Sequence, residues 1–82
     1  MNQREAEDVI AEVLHQVAPN IDLQAVDRGQ DLRRSLDLDS VDFLTVLQRL
    51  AERTGVDIPE GSYEQVATLE GMVEYLVDRT PG

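Results

Sequence analysis

The feature that most constrains this chain is an apolar stripe that recurs with helical spacing in three separate segments. In the first segment the apolar positions fall at i, i+3, i+4, i+7, i+8 and i+11: Ala6, Val9, Ile10, Val13, Leu14 and Val17. This spacing places them on one face of a helix, which we predict from Gln3 to Val17. Pro19 then ends the helix, because proline cannot continue the hydrogen-bond ladder.

The other two stripes predict two further amphipathic helices. One runs from about Ser40 to Thr54, with Asp39 as N-cap, Asp42 as the acid of a capping box and Gly55 as the stop. Its core stripe is Phe43, Val46, Leu47 and Leu50. The last helix follows Thr68 as N-cap and ends at the "TPG" of positions 80–82. Its stripe is Leu69, Met72, Val73, Leu76 and Val77.

The remaining segments connect these helices. Residues 18–39 form a long connection, with a helical turn near 22–26 and apolar anchors at Ile21, Leu23, Val26, Leu32 and Leu36. The stretch "GSYEQV" predicts a short helix with Tyr63 and Val66 facing inward. The sequence therefore predicts an all-α fold, a small four-helix bundle of three longer helices and one short helix with a long first loop. We expect one domain over 1–82, since this length has room for a single small core.

The charge of the chain restricts its partners. Seventeen acidic residues against seven basic ones, all arginine, give a formal net charge of -10. A surface of this sign repels nucleic acid, which is bound through clustered cations, and instead attracts basic protein surfaces. We therefore expect no nucleic-acid partner.

The residue types also suggest where the protein acts. Without cysteine the chain has no disulfide and no thiol of its own, which is typical of a reducing compartment. The N-terminal "MNQREAEDVI" is too polar for a secretory signal, and no apolar run approaches the roughly 18 residues of a membrane span. We expect a monomer in the cytoplasm.

No constellation of residues in the sequence points to catalysis or to a metal. His15 is the single histidine, and it borders the apolar stripe of the first helix. The run "LDLDS" at positions 36–40 fails as a calcium loop, because Val41 stands at the third ligand position after Asp37 and Asp39 and the turn glycine is missing. There is no glycine-rich phosphate loop and no enclosed Ser/His/Asp set, so we expect a protein that is not an enzyme.

Ser40 is the one residue with a distinctive chemical setting. It is predicted at the first helical position after the Asp39 cap, where free N–H groups and the helix dipole favour an attached anion such as a phosphate ester. Asp37, Asp39 and Asp42 partly oppose that anion, which suggests a divalent cation or a basic partner during attachment. The alternative is that Ser40 serves only as a second capping residue.

The stretch from Gln30 to Glu60, "QDLRRSLDLDSVDFLTVLQRLAERTGVDIPE", resembles acyl carrier proteins, in which the corresponding stretch reads "ADL…LGxDSLD…L…IPxE". Asp39-Ser40-Val41 matches the central D-S-hydrophobic motif of that family. The long preceding loop, the apolar spacing after Ser40, the "GVDIPE" turn and the chain length agree as well. The resemblance extends over essentially the whole helical layout.

This resemblance implies a prosthetic group, 4'-phosphopantetheine, on Ser40. A phosphopantetheinyl transferase would attach it from coenzyme A with magnesium, and acyl groups would then travel as thioesters on its thiol. Asp39 would cap the helix and contact the transferase. Asp37, Val41, Asp42 and Leu44 would contact partners, namely acyl-transferring, synthase or ligase enzymes with basic docking surfaces. The pathway would be fatty acid, specialised lipid or polyketide synthesis.

Two features depart from the family pattern. The usual glycine two residues before the aspartate is Asp37 here, which adds charge and removes backbone freedom. The second helix has Arg49 and Arg53 where the family often has glutamates on an exposed face, and Arg49 could pair with Glu52. These arginines suggest a specialised pathway with its own partners.

Two alternatives differ from an acyl carrier in class or cargo. A peptidyl or aminoacyl carrier would have the same prosthetic group, although such carriers often have Gly-Gly-His or Gly-Gly-Asp before the serine. An acidic helical adaptor would leave Ser40 bare or phosphorylated by a kinase. Addition of one phosphopantetheine to the protein separates the carriers from the adaptor.

Overall fold

The computed structural model describes residues 1–80 and contains four α-helices and three 3-10 turns in that range. The helices are α1 (Gln3–Val17), α2 (Leu32–Ser35), α3 (Ser40–Thr54) and α4 (Leu69–Arg79). The 3-10 turns are Leu23–Ala25, Glu60–Ser62 and Gln65–Ala67. No strand occurs in the described range, so the predicted all-α fold with three long helices and one short helix is confirmed. The predicted "TPG" stop extends into positions 81–82, which lie outside the described residues.

Each long helix begins at a side chain that caps it. Asn2 and Glu5 form a reciprocal capping box at α1, and Thr68 accepts a hydrogen bond from the N–H of Gly71 at α4. Asp39 caps α3, as predicted, and Gly55 ends α3 in the left-handed conformation with a φ of 72°. These local interactions satisfy backbone groups at helix ends, so they can be read directly from sequence.

The apolar stripes meet in one hydrophobic cluster. α1 packs against both α3 and α4, and α4 also packs against the 3-10 turn Gln65–Ala67. The most deeply buried side chains include Ile10, Leu14, Leu32, Val46, Leu50, Val66, Met72 and Leu76. Tyr75, which the stripe of the last helix did not include, is only 1% exposed and donates its hydroxyl hydrogen to the carbonyl of Asp57 at 2.9 Å.

The long first connection is held against the bundle at several points. Leu32 is fully buried, and the other predicted anchors are half-buried. The backbone N–H of Glu70 donates to the carbonyl of Arg28 at 3.0 Å, and the Arg28 side chain pairs with Glu7 at 2.5 Å. Asp31 forms a single bridge with Thr68. The connection is therefore tied to α1 and to the start of α4.

The position of the short helix was predicted wrongly. The short α-helix is Leu32–Ser35, inside the predicted connection, and Asp31 caps it by accepting the N–H of Arg33 at 2.9 Å. The "GSYEQV" region instead contains two separate 3-10 turns, in which Val66 is buried and Tyr63 is half-buried. A helix this short gains little from propensity and depends on packing, so its position was difficult to predict from the sequence.

The two arginines of α3 contact α1. Arg49 donates to the side-chain oxygen of Gln16 at 2.8 Å, and Arg53 pairs with Glu12. The structure thus gives Arg49 a partner on α1, whereas the sequence also allowed a pair with Glu52. These arginines lie along the α1–α3 contact, which gives a structural reason for the departure from the glutamate pattern.

Candidate functional site

The turn from α2 to α3 places the serine. Asp37 has a φ of 54°, the left-handed conformation that ordinarily favours glycine. This conformation lets the N–H of Leu38 donate to the carbonyl of Arg33 at 2.9 Å, while the N–H of Leu36 donates to that of Leu32. The six-to-one bond is that of a Schellman motif, with Asp37 at the position where glycine is most common. Asp37 therefore replaces the family's usual glycine at a position whose left-handed backbone conformation favours glycine.

The three residues after this turn have different environments. Leu38 is buried, and Asp39 accepts the N–H of Asp42 at 2.8 Å through Oδ1. Ser40 occupies the first position of α3 and is exposed, whereas Phe43 one turn later is part of the core. Ser40 is therefore exposed to solvent one turn before the first core residue of α3.

We predict that Asp37→Gly raises the free energy of unfolding by about 0.5–1 kcal/mol, because glycine adopts a left-handed φ without steric cost. Urea denaturation measures this change. Asp37→Asn is the matched control, since it removes the charge and retains a residue that tolerates the left-handed region. If Asn and Gly stabilise the protein equally, charge relief and not backbone strain is the cause.

Charged side chains of both signs surround this end of α3. Asp37 and Asp39 are exposed and Asp42 is half-buried. The Arg33 guanidinium lies 5.1 Å from the ring centroid of Phe43, one turn along α3 from Ser40. It also makes two hydrogen bonds to Asp31, at 3.0 and 2.6 Å, and these hold the pKa of the Asp31 carboxyl below its usual value. Arg33 therefore places a positive charge near the carboxylates of Asp37, Asp39 and Asp42, and the sequence analysis did not single it out.

The exposed large apolar residues lie beside the serine. Val41 is 69% exposed and Leu44 is 38% exposed. Within residues 1–80, the other large hydrophobic side chains are buried or half-buried. They stand three residues apart on α3, so they share a face of the helix. The structure thus brings together the exposed hydroxyl, two apolar side chains and three carboxylates that the sequence analysis selected.

Residues 1–80 present neither a metal-binding cluster nor a membrane-spanning helix. No group of three or more His, Asp or Glu side chains is placed to hold a metal ion. No helix in this range has the length and apolar character needed to cross a bilayer. His15 is exposed, and its Nε2 lies 3.2 Å from the carbonyl oxygen of Ile21.

Comparisons with known proteins identify the class of protein to which this helical bundle belongs. A family model described as the phosphopantetheine attachment site matches residues 6–76. An acyl carrier protein of Rubrobacter xylanophilus is 31% identical over 71% of this chain and 72% of its own length. An acyl carrier protein of Helicobacter pylori is 29% identical over 88% of this chain and 90% of its own length.

The chain belongs to the acyl carrier protein family. Proteins of this family carry intermediates for other enzymes, so this chain is a carrier and not an enzyme. Its prosthetic group is phosphopantetheine, which supplies the thiol that the cysteine-free sequence lacks. Membership also implies interaction with a phosphopantetheinyl transferase and with synthases.

Proposed function

We propose that Ser40 is the attachment residue and that this protein carries acyl groups as thioesters on 4'-phosphopantetheine bound there. The observation that supports this most directly is the exposed Ser40 hydroxyl at the first position of α3. The serine at this position also matches the D-S-hydrophobic motif through Asp39 and Val41. Fatty acid, specialised lipid or polyketide synthesis would use such a carrier.

The surroundings of Ser40 fit a phosphodiester. The first turn of a helix presents backbone N–H groups without intrahelical acceptors, and its dipole favours negative charge. Asp39 uses one of these groups, the N–H of Asp42, and the N–H groups nearer the tip remain for the phosphate. The carboxylates of Asp37 and Asp42 oppose the anion, so we expect attachment to depend on magnesium or on basic groups of the transferase.

A partner would dock on Val41 and Leu44, with Asp37 and Asp42 at the edge of the contact. The two apolar side chains are exposed, and burying them on a partner would be favourable by the area removed from water. The acids and the net charge of -10 favour partner surfaces with arginine or lysine around an apolar centre. Association should then weaken as salt increases.

An acyl cargo is favoured over an aminoacyl or peptidyl one. The three residues before the serine are Asp37, Leu38 and Asp39, which lack the Gly-Gly pair frequent in peptidyl carriers. The relatives in Rubrobacter and Helicobacter are also acyl carrier proteins. The specialised pathway suggested by Arg49 has less support, because that side chain contacts Gln16 of α1.

The test is incubation of the protein with coenzyme A, magnesium and a broad-specificity phosphopantetheinyl transferase, followed by intact-mass and peptide-mass measurement. We expect a gain of one phosphopantetheine, located on the peptide that contains Ser40. Loading with malonyl-coenzyme A by a housekeeping malonyl transferase then tests the acyl cargo. A protein that stays at its original mass would instead be the acidic adaptor.

Asp39 is predicted to have two separable roles. Asp39→Ala removes the acceptor for the Asp42 N–H and should lower the free energy of unfolding by about 1 kcal/mol. Asp39→Asn retains a capping oxygen and should change stability by only a few tenths of a kcal/mol. If the carboxylate also contacts the transferase, both variants should load about tenfold more slowly, as expected for loss of a charged hydrogen bond. Normal loading of the Asn variant would limit Asp39 to capping.

A further inference from the structure

A local excess of positive charge lies just before Ser40, in a chain whose net charge is -10. The short helix α2 contains two arginines, Arg33 and Arg34, and both are exposed. The carboxylate beside them is that of Asp31, the cap of α2. Hydrogen bonding to Arg33 chiefly lowers the pKa of the Asp31 carboxyl, and the charge of Arg34 contributes a smaller part. Two guanidinium groups thus share one carboxylate, which leaves α2 and its cap with an excess of one positive charge.

The two arginines differ in how far they are engaged within the protein. The Arg33 guanidinium makes two hydrogen bonds to Asp31, at 3.0 and 2.6 Å, and lies 5.1 Å from the ring centroid of Phe43. Within residues 1–80, the Arg34 side chain has no salt bridge, hydrogen bond or ring contact, and Arg4 at the start of α1 is in the same state. Arg34 therefore presents a guanidinium with which another molecule can pair.

Arg34 lies close enough to Ser40 to fall within the contact area of a partner. The N–H of Leu38 donates to the carbonyl oxygen of Arg33 at 2.9 Å, which holds the end of α2 against the segment that enters α3. Adding standard backbone dimensions to this bond limits the distance between the Cα atoms of Arg34 and Ser40 to about 15 Å. A protein interface of ordinary size covers about 800 Å² on each partner, which corresponds to a disc with a radius of about 16 Å. An enzyme whose contact area is centred on Ser40 therefore covers the position of Arg34.

The later turns of α3 provide little to attract a basic surface. After Asp42 the helix has one acid, Glu52, which lies about 15 Å further along the axis. Its arginines, Arg49 and Arg53, contact side chains of α1. The attraction for a basic enzyme is thus concentrated at the tip of α3, where the charge of Arg34 opposes it.

We propose that Arg34 determines which enzymes act on this carrier, an inference that rests on the proposed attachment at Ser40. The arginine disfavours an enzyme whose docking surface is basic throughout. It favours one that offers a carboxylate opposite α2 and basic groups opposite Asp37 and Asp42. Charges at the edge of an interface act mainly on the association rate and on the choice of partner, and like charges brought together are costly. The fitting partner is therefore a carrier-processing enzyme with a docking surface of mixed charge.

Malonyl transfer from malonyl-coenzyme A to the phosphopantetheine-bearing protein tests this inference. The enzyme is a housekeeping malonyl transferase whose charged docking residues are all lysine or arginine. Arg34→Glu should raise kcat/KM about fivefold or more at low salt, through a lower KM with kcat unchanged. The increase should diminish at about 0.5 M salt, where exposed charges are screened. An unchanged or lower kcat/KM for Arg34→Glu would overturn the inference.

Arg4→Glu is the matched control, because it makes the same change in net charge at the other end of the molecule. α1 and α3 run antiparallel, as two contacts between them show: Arg49 with Gln16, and Arg53 with Glu12. Ser40 lies nine residues before the first of these contacts on α3, and Arg4 lies twelve residues before it on α1. The two ends are therefore about 30 Å apart along the helix axes. Arg4→Glu should change kcat/KM by less than about twofold, and an equal increase in both variants would assign the effect to net charge and refute a role of Arg34.

A second measurement tests the proposed carboxylate on the partner. Basic residues of the enzyme's docking surface are changed to glutamate one at a time, and each enzyme variant is assayed with the wild-type carrier and with Arg34→Glu. At least one reversal should raise kcat/KM for the wild type and lower it for Arg34→Glu, as expected for two residues that face each other. If no reversal separates the two carriers, Arg34 does not select for a carboxylate and the inference fails.

The outcome for the wild-type protein separates this inference from the proposed function. Failure of the wild type to gain phosphopantetheine would refute the proposed function. Should the phosphopantetheine-bearing wild type accept no malonyl group, the inference requires that Arg34→Glu accept it. Arg34 is exposed, so its substitution should leave the fold intact and stability within about 0.5 kcal/mol of wild type.

Discussion

Ser40→Ala will remain at its original mass when incubated with coenzyme A, magnesium and transferase, while the wild-type protein gains one phosphopantetheine. The reason is chemical: the phosphodiester forms on the serine hydroxyl oxygen, and alanine has no such oxygen. The effect is a complete loss of loading. Stability should change by no more than about 0.5 kcal/mol, because Ser40 is exposed and Asp39 supplies the cap.

Ser62→Ala is the control for this experiment. Ser62 is a half-buried serine in the 3-10 turn Glu60–Ser62, remote in sequence from the tip of α3. The variant should load to the same extent as wild type. Full modification of the Ser40→Ala protein would place the prosthetic group on another residue and would remove the basis of the proposed function.

Gly71→Ala should strongly destabilise the protein. A Cβ at this position would lie 1.9 Å from the backbone carbonyl oxygen of Gln65 and 3.0 Å from Oγ1 of Thr68, so α4 or the 3-10 turn Gln65–Ala67 must move. Val66 and Met72, which flank this contact, are fully buried and would be displaced. We expect a loss of about 3 kcal/mol or more, as for overpacking in a rigid core.

This loss is large relative to the stability of a domain of 82 residues, which at typical values per residue is about 4–12 kcal/mol. The midpoint of thermal unfolding should fall by about 12 °C or more. The sign of the stability change separates two effects. Helix propensity alone predicts that Gly71→Ala would stabilise α4 by about 1 kcal/mol, whereas the steric clash predicts a loss of stability.

Gly61→Ala is the matched control for Gly71→Ala. No heavy atom lies within 4 Å of a Cβ built on Gly61, and this glycine is exposed. The substitution should therefore leave stability within about 0.5 kcal/mol of wild type or raise it slightly. Equal urea midpoints for the two variants would show that the approach of α4 to Gln65 is not tight.

Local interactions explain why so much of the fold was predictable. The bounds of α1 and α3, the caps at Asp39 and Thr68 and the stop at Gly55 all depend on residues within about four positions. The outward position of Ser40 followed from its place at the start of the helix, whereas the exposure of Val41 was implied by the family resemblance. The short helix Leu32–Ser35 was missed because its single turn depends on the burial of Leu32.

The sequence alone predicted the helical class, the three long helices and the serine that begins α3, because periodicity and caps act over a few neighbouring residues. The acidic charge follows directly from the composition. Only the tertiary structure decided the contacts between distant segments. It directs Arg49 and Arg53 to α1 and brings Gly71 against Gln65. These contacts join residues far apart along the chain, and they exist because side chains from separate elements must fill one close-packed core.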